Sequence, residues 1–263
     1  MTPIEDIEMK IPDQGEAEIV RHLISQGYEP TQIMELVSSG EYDEIGIRGN
    51  FLNALCEIDP FAFPGAPSRD DFTYIPGMKL FHATKKSHLG KSWEETHGLL
   101  VARGERMQTI PEFRQSSQYF GKSKNPLHKR IYSEIFATGG NWRASRLDAY
   151  FKQRQDGLYI LTGNKTKEEK LESCLMENRL PGINFDRWIS GIEVTSQGLP
   201  QKNVAKGNLY YGAPRDGAVA WFVAGSGGAV LYCNRDPSGG LSVLGVYAVI
   251  DAGSLVRGQE EGK

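Results

Sequence analysis

Cysteine is scarce in this 263-residue chain, and the three that occur, Cys56, Cys174 and Cys233, lie far apart. There is no Cys-x-x-Cys pair and no short Cys/His cluster with zinc spacing. The sequence therefore predicts neither a disulfide framework nor a structural zinc site. Absence of disulfides fits a reducing compartment. We expect a cytoplasmic protein, or one that is delivered into a host cytosol.

Long apolar runs and an excess of one charge are also missing. No stretch approaches the ~20 apolar residues that span a bilayer, and the acidic first eight residues lack the apolar core of a secretory signal. With 30 basic and 33 acidic residues the net charge is -3. That balance carries no strong signal for nucleic acid or anionic lipid. The most basic segment, residues 122–130, is predicted to be a solvated face or loop.

The residues that are present predict an α+β protein. Apolar residues make up 39% of the chain, which is enough to build a core, and its 30 glycines predict frequent turns. We expect a mixed, mainly antiparallel split sheet with flanking helices, preceded by a small helical N-terminal lobe. The predicted domains are residues 1–66 for the lobe and residues 67–263 for the α+β domain.

Apolar spacing predicts three helices in the lobe. The first covers Glu16 to Ile24 and is ended by Gly27, the second runs from Pro30 to Gly40, and the third covers residues 47–58. Proline and glycine then punctuate residues 59–77, which we predict to be a linker.

The second domain mixes both kinds of element. Strands are predicted at residues 78–84, 158–162, 189–194, 208–211, 229–233 and 243–250. Helices are predicted at residues 92–100, 128–137, 142–155, 165–176 and 217–224.

The first predicted strand of this domain carries a chemically suggestive triplet. His82 and Thr84 are two residues apart, so on a strand their side chains share a face. An imidazole and a hydroxyl placed in this way can hydrogen-bond a ribose, while the Ala83 backbone between them can pair with a carboxamide. This set of groups suits the two ends of a nicotinamide riboside.

This segment resembles the opening of the ADP-ribosyltransferase fold of the diphtheria-toxin and poly(ADP-ribose)-polymerase type. Those proteins begin their NAD site with a strand reading H-x-T or H-x-S, then a helix, then a Gly-Leu pair. The matching residues here are His82, Thr84, Gly98 and Leu99. The resemblance implies that His82 bonds the adenosine-side ribose of NAD and that the Ala83 backbone grips the nicotinamide amide.

The second element of that family is a strand tyrosine followed by a helix with another aromatic residue. Tyr210 fits best, with Trp221 or Phe222 as the second aromatic and with Tyr211 and Tyr159 in reserve. Two aromatic side chains can sandwich the nicotinamide ring while its glycosidic bond breaks.

The third element is a glutamate that stabilises the oxocarbenium-like transition state. Glu261 ends a Gln-Glu-Glu run that has the right letters, but it lies in a C-terminal tail predicted to be frayed. The chain departs from the family pattern here. Glu193, on a predicted strand, is the alternative, or the acid is missing.

These residues predict an effector- or toxin-like transferase. It would pass ADP-ribose from NAD to a macromolecular acceptor, most simply a protein, and release nicotinamide. The alternatives are a catalytically degenerate α+β module that recognises a protein partner, and an unrelated hydrolase.

Other chemistries have weaker signals. The glycine-rich run at residues 224–231 lacks the G-x-G-x-x-G spacing and a Walker lysine, so we predict a turn. Cys174 and Cys233 lack the electropositive helix start that activates a thiolate. The histidines are too loosely spaced to predict a metal site, and no pair of acids is singled out for glycoside hydrolysis.

Overall fold

The three-dimensional structure is a computed structural model that describes residues 16–25, 27–29, 32–33, 59–61, 65–136 and 142–255. The chain divides into two units, Met1–Arg69 with Asp251–Lys263, and Asp70–Ile250. Helices and mainly antiparallel sheets combine in the described residues, which confirms the α+β class. Within these ranges no helix has both the length and the apolar character needed to cross a membrane.

In the first unit, helix α1 spans Glu16–Ser25 as predicted. Val20 and Leu23 lie three residues apart and are buried. Gly27, with a φ of 88°, ends the helix and donates its N–H to the Ile24 carbonyl. The other two predicted helices and the C-terminal tail fall almost wholly outside the described residues, so the helical lobe stays a prediction.

The second unit begins with a three-stranded sheet in the order β1-β2-β12. Strand β1 is Phe72–Ile75, β2 is Leu80–Ala83 and β12 is Val249–Asp251. A 3-10 turn at Pro76–Met78 joins β1 to β2. All four β2 residues are buried because the strand is central. The predicted linker is therefore wrong at its end, where aromatic and β-branched residues pair with β2.

A nine-stranded sheet forms the rest of the unit, in the order β5-β4-β3-β9-β10-β8-β6-β7 with β11 beside β3. Neighbouring strands are antiparallel except for β10 with β8 and β11 with β3. The strands are β3 (Arg143–Arg154), β4 (Gly157–Thr162), β5 (Lys167–Lys170), β6 (Arg179–Ile183), β7 (Lys206–Gly207), β8 (Leu209–Gly212), β9 (Val219–Gly225), β10 (Gly228–Arg235) and β11 (Leu244–Gly245).

Four helices accompany this sheet: α2 (Trp93–Val101), α3 (Ile110–Lys122), α4 (Pro126–Phe136) and α5 (Phe185–Ser190). Helices α2 and α3 begin with capping boxes in which the N-cap hydroxyl and the N3 glutamate exchange hydrogen bonds. Residues of α3, α4 and α5 pack with one sheet face to form the core, where Phe222 contacts the rings of Phe113 and Trp188. We call this the core face, and the opposite side the outer face.

Three predicted helices are wrong. Residues 142–155 form β3, residues 217–224 fall largely in β9, and residues 165–176 contain the edge strand β5. Strands β3 and β9 are internal, with hydrogen-bonded neighbours on both sides and side chains buried on both faces. Apolar residues that serve two buried faces produce a spacing that imitates a helix.

Two further predictions need correction. Residues 189–194 were expected to form a strand but contain the end of α5, which stops at the left-handed Gly191. Helix α3 was not predicted, although Thr109 and Glu112 carry the T-x-x-E signature of a helix start. The strand at 78–84 and the helices at 92–100 and 128–137 are confirmed within a few residues.

Two glycines occupy different kinds of position: one lets two backbones pack closely, and the other lies in a helix with free space around it. A Cβ at Gly182 would overlap the Leu209 backbone carbonyl, whereas a Cβ at Gly98, in α2, would meet nothing within 4 Å. We expect Gly182→Ala to destabilise the fold by about 3 kcal/mol or more, since two backbones must separate. Gly98→Ala should instead stabilise it by about 0.5–1 kcal/mol through helix propensity. Urea denaturation measures both, and equal effects of the two substitutions would contradict the close approach of β6 and β8.

Candidate functional site

His82 lies in the middle of β2, and its side chain is completely buried. The imidazole Nδ1 donates to the Ala83 carbonyl at 2.7 Å, and the Gln108 side chain lies on the ring's other polar side. The ring stacks on Tyr247 at 5.4 Å and meets Phe120 edge-on at 4.8 Å. Burial lowers the pKa of His82 to about 4, an effect that the Ala83 and Gln108 interactions only partly offset. The imidazole is therefore a neutral ring packed among aromatic side chains.

The groups that flank His82 are engaged within the fold. The Ala83 N–H donates to the Ala248 carbonyl at 2.8 Å, and the Ala83 carbonyl accepts a hydrogen bond from the His82 Nδ1. Thr84 is buried, with its hydroxyl donating to the Asp70 carbonyl and its N–H to the Asp71 carbonyl. The hydroxyl and backbone groups predicted to hold a ribose and a carboxamide are thus already bonded to protein.

Tyr210 and Trp221 lie on the outer face of the nine-stranded sheet. Successive strand residues point to opposite faces, and Phe222, next to Trp221, points into the core. Strand β10 lies between the two, with Val230 paired to Tyr210 and Tyr232 paired to Trp221. Trp221 stands on a strand, where the sequence predicted a helix.

His82 does not share this face. Its ring partners Phe120 and Tyr247 both belong to the core cluster, on the other side of the sheet from Tyr210 and Trp221. The structure therefore places Tyr210 and Trp221 on the same sheet face, with β10 between their strands, and His82 on the other side of the sheet.

The two acids predicted from the sequence are Glu261 and Glu193. Glu261 lies outside the described residues. Glu193 sits in a turn after α5, with a φ of 60°, and not on a strand. Its carboxylate pairs with Arg187 at 2.7 Å and accepts the Ala205 N–H at 2.9 Å, and the Arg187 hydrogen bond lowers the pKa of Glu193. This carboxylate serves to tie α5 to the chain before β7.

The outer face carries an open cleft of about 400 Å³ around Tyr210, which we call the tyrosine cleft. Tyr210 comes from β8 and Tyr232 from the parallel neighbour β10. Gly212 pairs with Tyr232, and because it has no side chain it leaves room for the Asn234 amide. The cleft is lined by Asn178, Arg179, Leu180, Tyr210, Tyr211, Gly212, Val230, Tyr232 and Asn234.

Cationic groups surround these two tyrosines. The Arg235 guanidinium lies 3.5 Å from the centre of the Tyr232 ring, and the Arg179 Nε is buried without a hydrogen-bond partner. The Asn178 amide oxygen accepts the Ala213 N–H at 2.9 Å, which fixes one wall. Among the described residues that line the cleft there is no carboxylate. The cleft therefore offers aromatic ring faces and positive charge.

A second cleft, of about 250 Å³, lies beside the start of α3 and includes Asp148. Asp148 and His97 are both almost fully buried, with 3.2 Å between the Asp148 Oδ1 and the His97 Nε2. The other carboxylate oxygen accepts the Gly163 N–H at 2.7 Å. Both oxygens thus face protein groups that connect β3 with α2 and with the turn after β4. We interpret Asp148 as a structural anchor, and we take the tyrosine cleft as the candidate site.

The two cysteines within the described residues do not supply an alternative site. Cys174 and Cys233 are buried, and burial raises the pKa of Cys174 to about 11 and that of Cys233 well above its ordinary value. A thiol with a raised pKa is a poor nucleophile at neutral pH. Neither cysteine has the properties that a thiol hydrolase needs.

Sequence reasoning missed several residues of the tyrosine cleft. Tyr232, Arg179 and Arg235 were not singled out. The alternation of Val230, Tyr232 and Asn234 along one strand contained a usable signal, because period-two spacing puts all three on one face. Their meeting with Tyr210 was not foreseeable, since it depends on the parallel pairing of β10 with β8.

The buried His82 generates a pH prediction. Its pKa is about 4 in the folded protein against an ordinary value of 6.5, so the unfolded chain takes up the proton first as pH falls. The neutral imidazole contributes its full share of folding stability above pH 6.5, the pKa in the unfolded chain. This contribution is lost as the pH falls toward about 4, the pKa in the folded protein. Between about pH 7.5 and about pH 5 the wild type should lose about 2 kcal/mol from this group.

His82→Phe keeps an aromatic ring in the core and removes the titration. Urea denaturation of both proteins at the two pH values gives the difference, and His128, whose pKa is also lowered by burial, is present in both. An equal loss of stability in the variant and in the wild type would show that His82 is not held neutral.

Function has to be argued from this geometry. Comparisons of the chain with models of protein families, with curated proteins and with solved structures give no match. The likeness to ADP-ribosyltransferases therefore rests on its few motif residues, and the transfer of ADP-ribose stays a prediction.

Proposed function

We propose that the protein is a nucleotide-binding module and that the tyrosine cleft is its binding site. The observation that carries this proposal is an open cleft lined by Tyr210, Tyr232 and Arg179, with the Arg235 guanidinium stacked on the Tyr232 ring next to it. A nucleotide combines a flat ring with a negative charge, and these four side chains offer the complementary chemistry for both.

The tyrosines supply the stacking surface. Tyr210 and Tyr232 are half-buried, so each ring is fixed by its strand while part of it reaches solvent. Stacking of a base on an aromatic side chain contributes about 1–3 kcal/mol and tolerates different bases. A cleft of about 400 Å³ also lies within the size range of small-molecule sites.

The arginines supply the charge. A guanidinium presents a planar set of donors that matches a phosphate, and it stacks well on aromatic rings. Arg235 already stacks on Tyr232, and this contact orients its guanidinium beside the cleft. Because no lining carboxylate competes for these donors, an anionic ligand meets an attractive field.

NAD is the ligand that the sequence resemblance suggests for this site. It carries two ring systems and a pyrophosphate, and Tyr210 is the residue that the resemblance assigns to its nicotinamide. Cleavage of NAD needs in addition a group that stabilises the developing positive charge on the ribose. With no carboxylate among the described lining residues, the geometry favours binding over transfer.

Binding can be tested by substitution of the tyrosines. We expect Tyr210→Ala and Tyr232→Ala each to weaken NAD or AMP binding about tenfold, which is the loss of one stacking contact. Isothermal titration calorimetry of wild type and variants measures the change. Tyr159→Ala is the matched control, because Tyr159 is a half-buried tyrosine on β4 whose hydroxyl donates to Asp156, away from the cleft.

Two results would contradict the proposal of nucleotide binding. Wild-type protein that binds neither NAD nor AMP at millimolar concentration would remove it. Equal affinities in Tyr210→Ala and Tyr159→Ala would place the nucleotide elsewhere.

Transfer is tested separately by nicotinamide release. The wild type is incubated with labelled NAD and a cell lysate, and both free nicotinamide and labelled macromolecules are scored. A pure binding module releases none, because it lacks the catalytic acid. Release that disappears in Glu261→Gln would instead support the transferase predicted from the sequence.

A further inference from the structure

Arg146 lies on the outer face of β3, where only 1% of its surface is exposed. Its Nη2 donates to the Gly239 carbonyl at 2.8 Å, but its Nε and Nη1 have no hydrogen-bond partner. Within the described parts of the chain no carboxylate lies within ion-pair distance of it. An unneutralised buried charge costs several kcal/mol, so this guanidinium calls for a counter-ion.

Two neighbouring side chains, those of Trp221 and Arg235, also have buried donors without hydrogen-bond partners. Trp221 is 6% exposed, and its Nε1 has no partner. The Arg235 Nε is likewise buried and unpaired. The Arg146 and Arg235 guanidinium carbons lie 5.7 Å and 5.8 Å from the centre of the Trp221 ring. The unpaired atoms are all donors, since guanidinium and indole nitrogens do not accept hydrogen bonds.

We propose that Arg146, Trp221 and Arg235 form a buried binding site for a tetrahedral oxyanion such as phosphate or sulfate. The proposal goes beyond nucleotide binding in the tyrosine cleft and rests on different atoms. An oxyanion supplies several acceptor oxygens together with the negative charge. Water would satisfy the donors but would leave the guanidinium of Arg146 unneutralised.

The loop at residues 236–240 closes the site. The Gly239 carbonyl accepts from Arg146, and a Cβ on Gly239 would come within 2.9 Å of the Trp221 ring. The Pro237 carbonyl accepts the Trp93 N–H at 2.9 Å, which fastens the loop to the start of α2. Glycine at position 239 thus allows the backbone to lie directly on the indole.

The acidic side chains near the site interact with other groups. Asp148, two residues along β3 from Arg146, accepts the Gly163 N–H at 2.7 Å and lies 3.2 Å from the His97 Nε2. Asp236 accepts the N–H and the hydroxyl of Ser238 through one oxygen, and these bonds lower its pKa. Glu95, whose charge favours protonated Arg146, is exposed and accepts the Ser92 N–H in the capping box of α2. None of these carboxylates takes the unpaired donors, which leaves them for a bound anion.

The oxyanion has two sources that share this chemistry: a free ion, or the phosphate of a nucleotide that occupies the tyrosine cleft. Arg235 connects the two places, because it stacks on Tyr232 in the cleft and faces Trp221 at the anion site. The experiment therefore needs both kinds of probe.

Thermal unfolding of the full chain with sodium phosphate, against sodium chloride of equal ionic strength, tests the site. We expect phosphate to raise the wild-type melting temperature with saturation, because a ligand of the folded state stabilises it by mass action. Arg146→Met should abolish the phosphate-specific shift. Arg154→Met, which removes an exposed arginine on the same strand, should keep it.

A second variant keeps the proposal testable should Arg146→Met fail to fold. Trp221→Phe retains a ring and removes only the Nε1 donor, and it should weaken phosphate binding several-fold. The proposal is overturned by a wild type that responds to neither phosphate nor sulfate, or by Trp221→Phe and Arg154→Met responding alike.

Comparison of phosphate with AMP separates the two sources. With a free ion, phosphate alone stabilises the wild type and Tyr210→Ala responds equally. With a nucleotide phosphate, AMP acts at lower concentration than phosphate and Tyr210→Ala loses that advantage. A phosphate response without binding of AMP or NAD would remove the proposed nucleotide function and leave the anion site standing.

Discussion

The position of β9 between β3 and β10 is the constraint on which the rest of the second unit depends. All seven residues of this strand are buried, so both of its faces must be covered. Phe222 meets the rings of Phe113 and Trp188 on the core face, while Trp221 lies under the loop at residues 236–240 on the outer face. One strand thus fixes an apolar core and a donor-rich outer surface, separated by the alternation of its side chains.

The core face determines the surroundings of His82. A neutral imidazole packs as a flat ring against Phe120 and Tyr247, and protonation there would place an uncompensated charge in an apolar cluster. The same burial that lowers its pKa also keeps it away from solutes. What resembles the first motif of an NAD site is, in this fold, the central strand of a small sheet whose backbone bonds are already made.

Arginines with unpaired donors lie on the outer face although the chain carries a net charge of -3. Arg179 lines the tyrosine cleft, and Arg146 and Arg235 lie near the Trp221 ring. Many acids lie instead in exposed pairs such as Asp156 with Lys170. Exposed ion pairs contribute little to stability. The unpaired donors beneath the loop at residues 236–240 act instead on a ligand within hydrogen-bond distance. Net charge therefore says little about which ligand a face attracts, and nucleotide and oxyanion binding both follow from this local separation.

The sequence alone determined the α+β class, the helix α1, the strand β2 and the start of α2, because each depends on neighbours a few residues away. It also singled out Tyr210 and Trp221. Tertiary structure decided that residues 142–155 and 217–224 are strands, since a segment buried on both faces loses the one-sided pattern by which strands are recognised. It also decided that His82 faces the core and that Arg146, Trp221 and Arg235 meet. Those outcomes depend on pairing between distant strands, which local spacing does not encode.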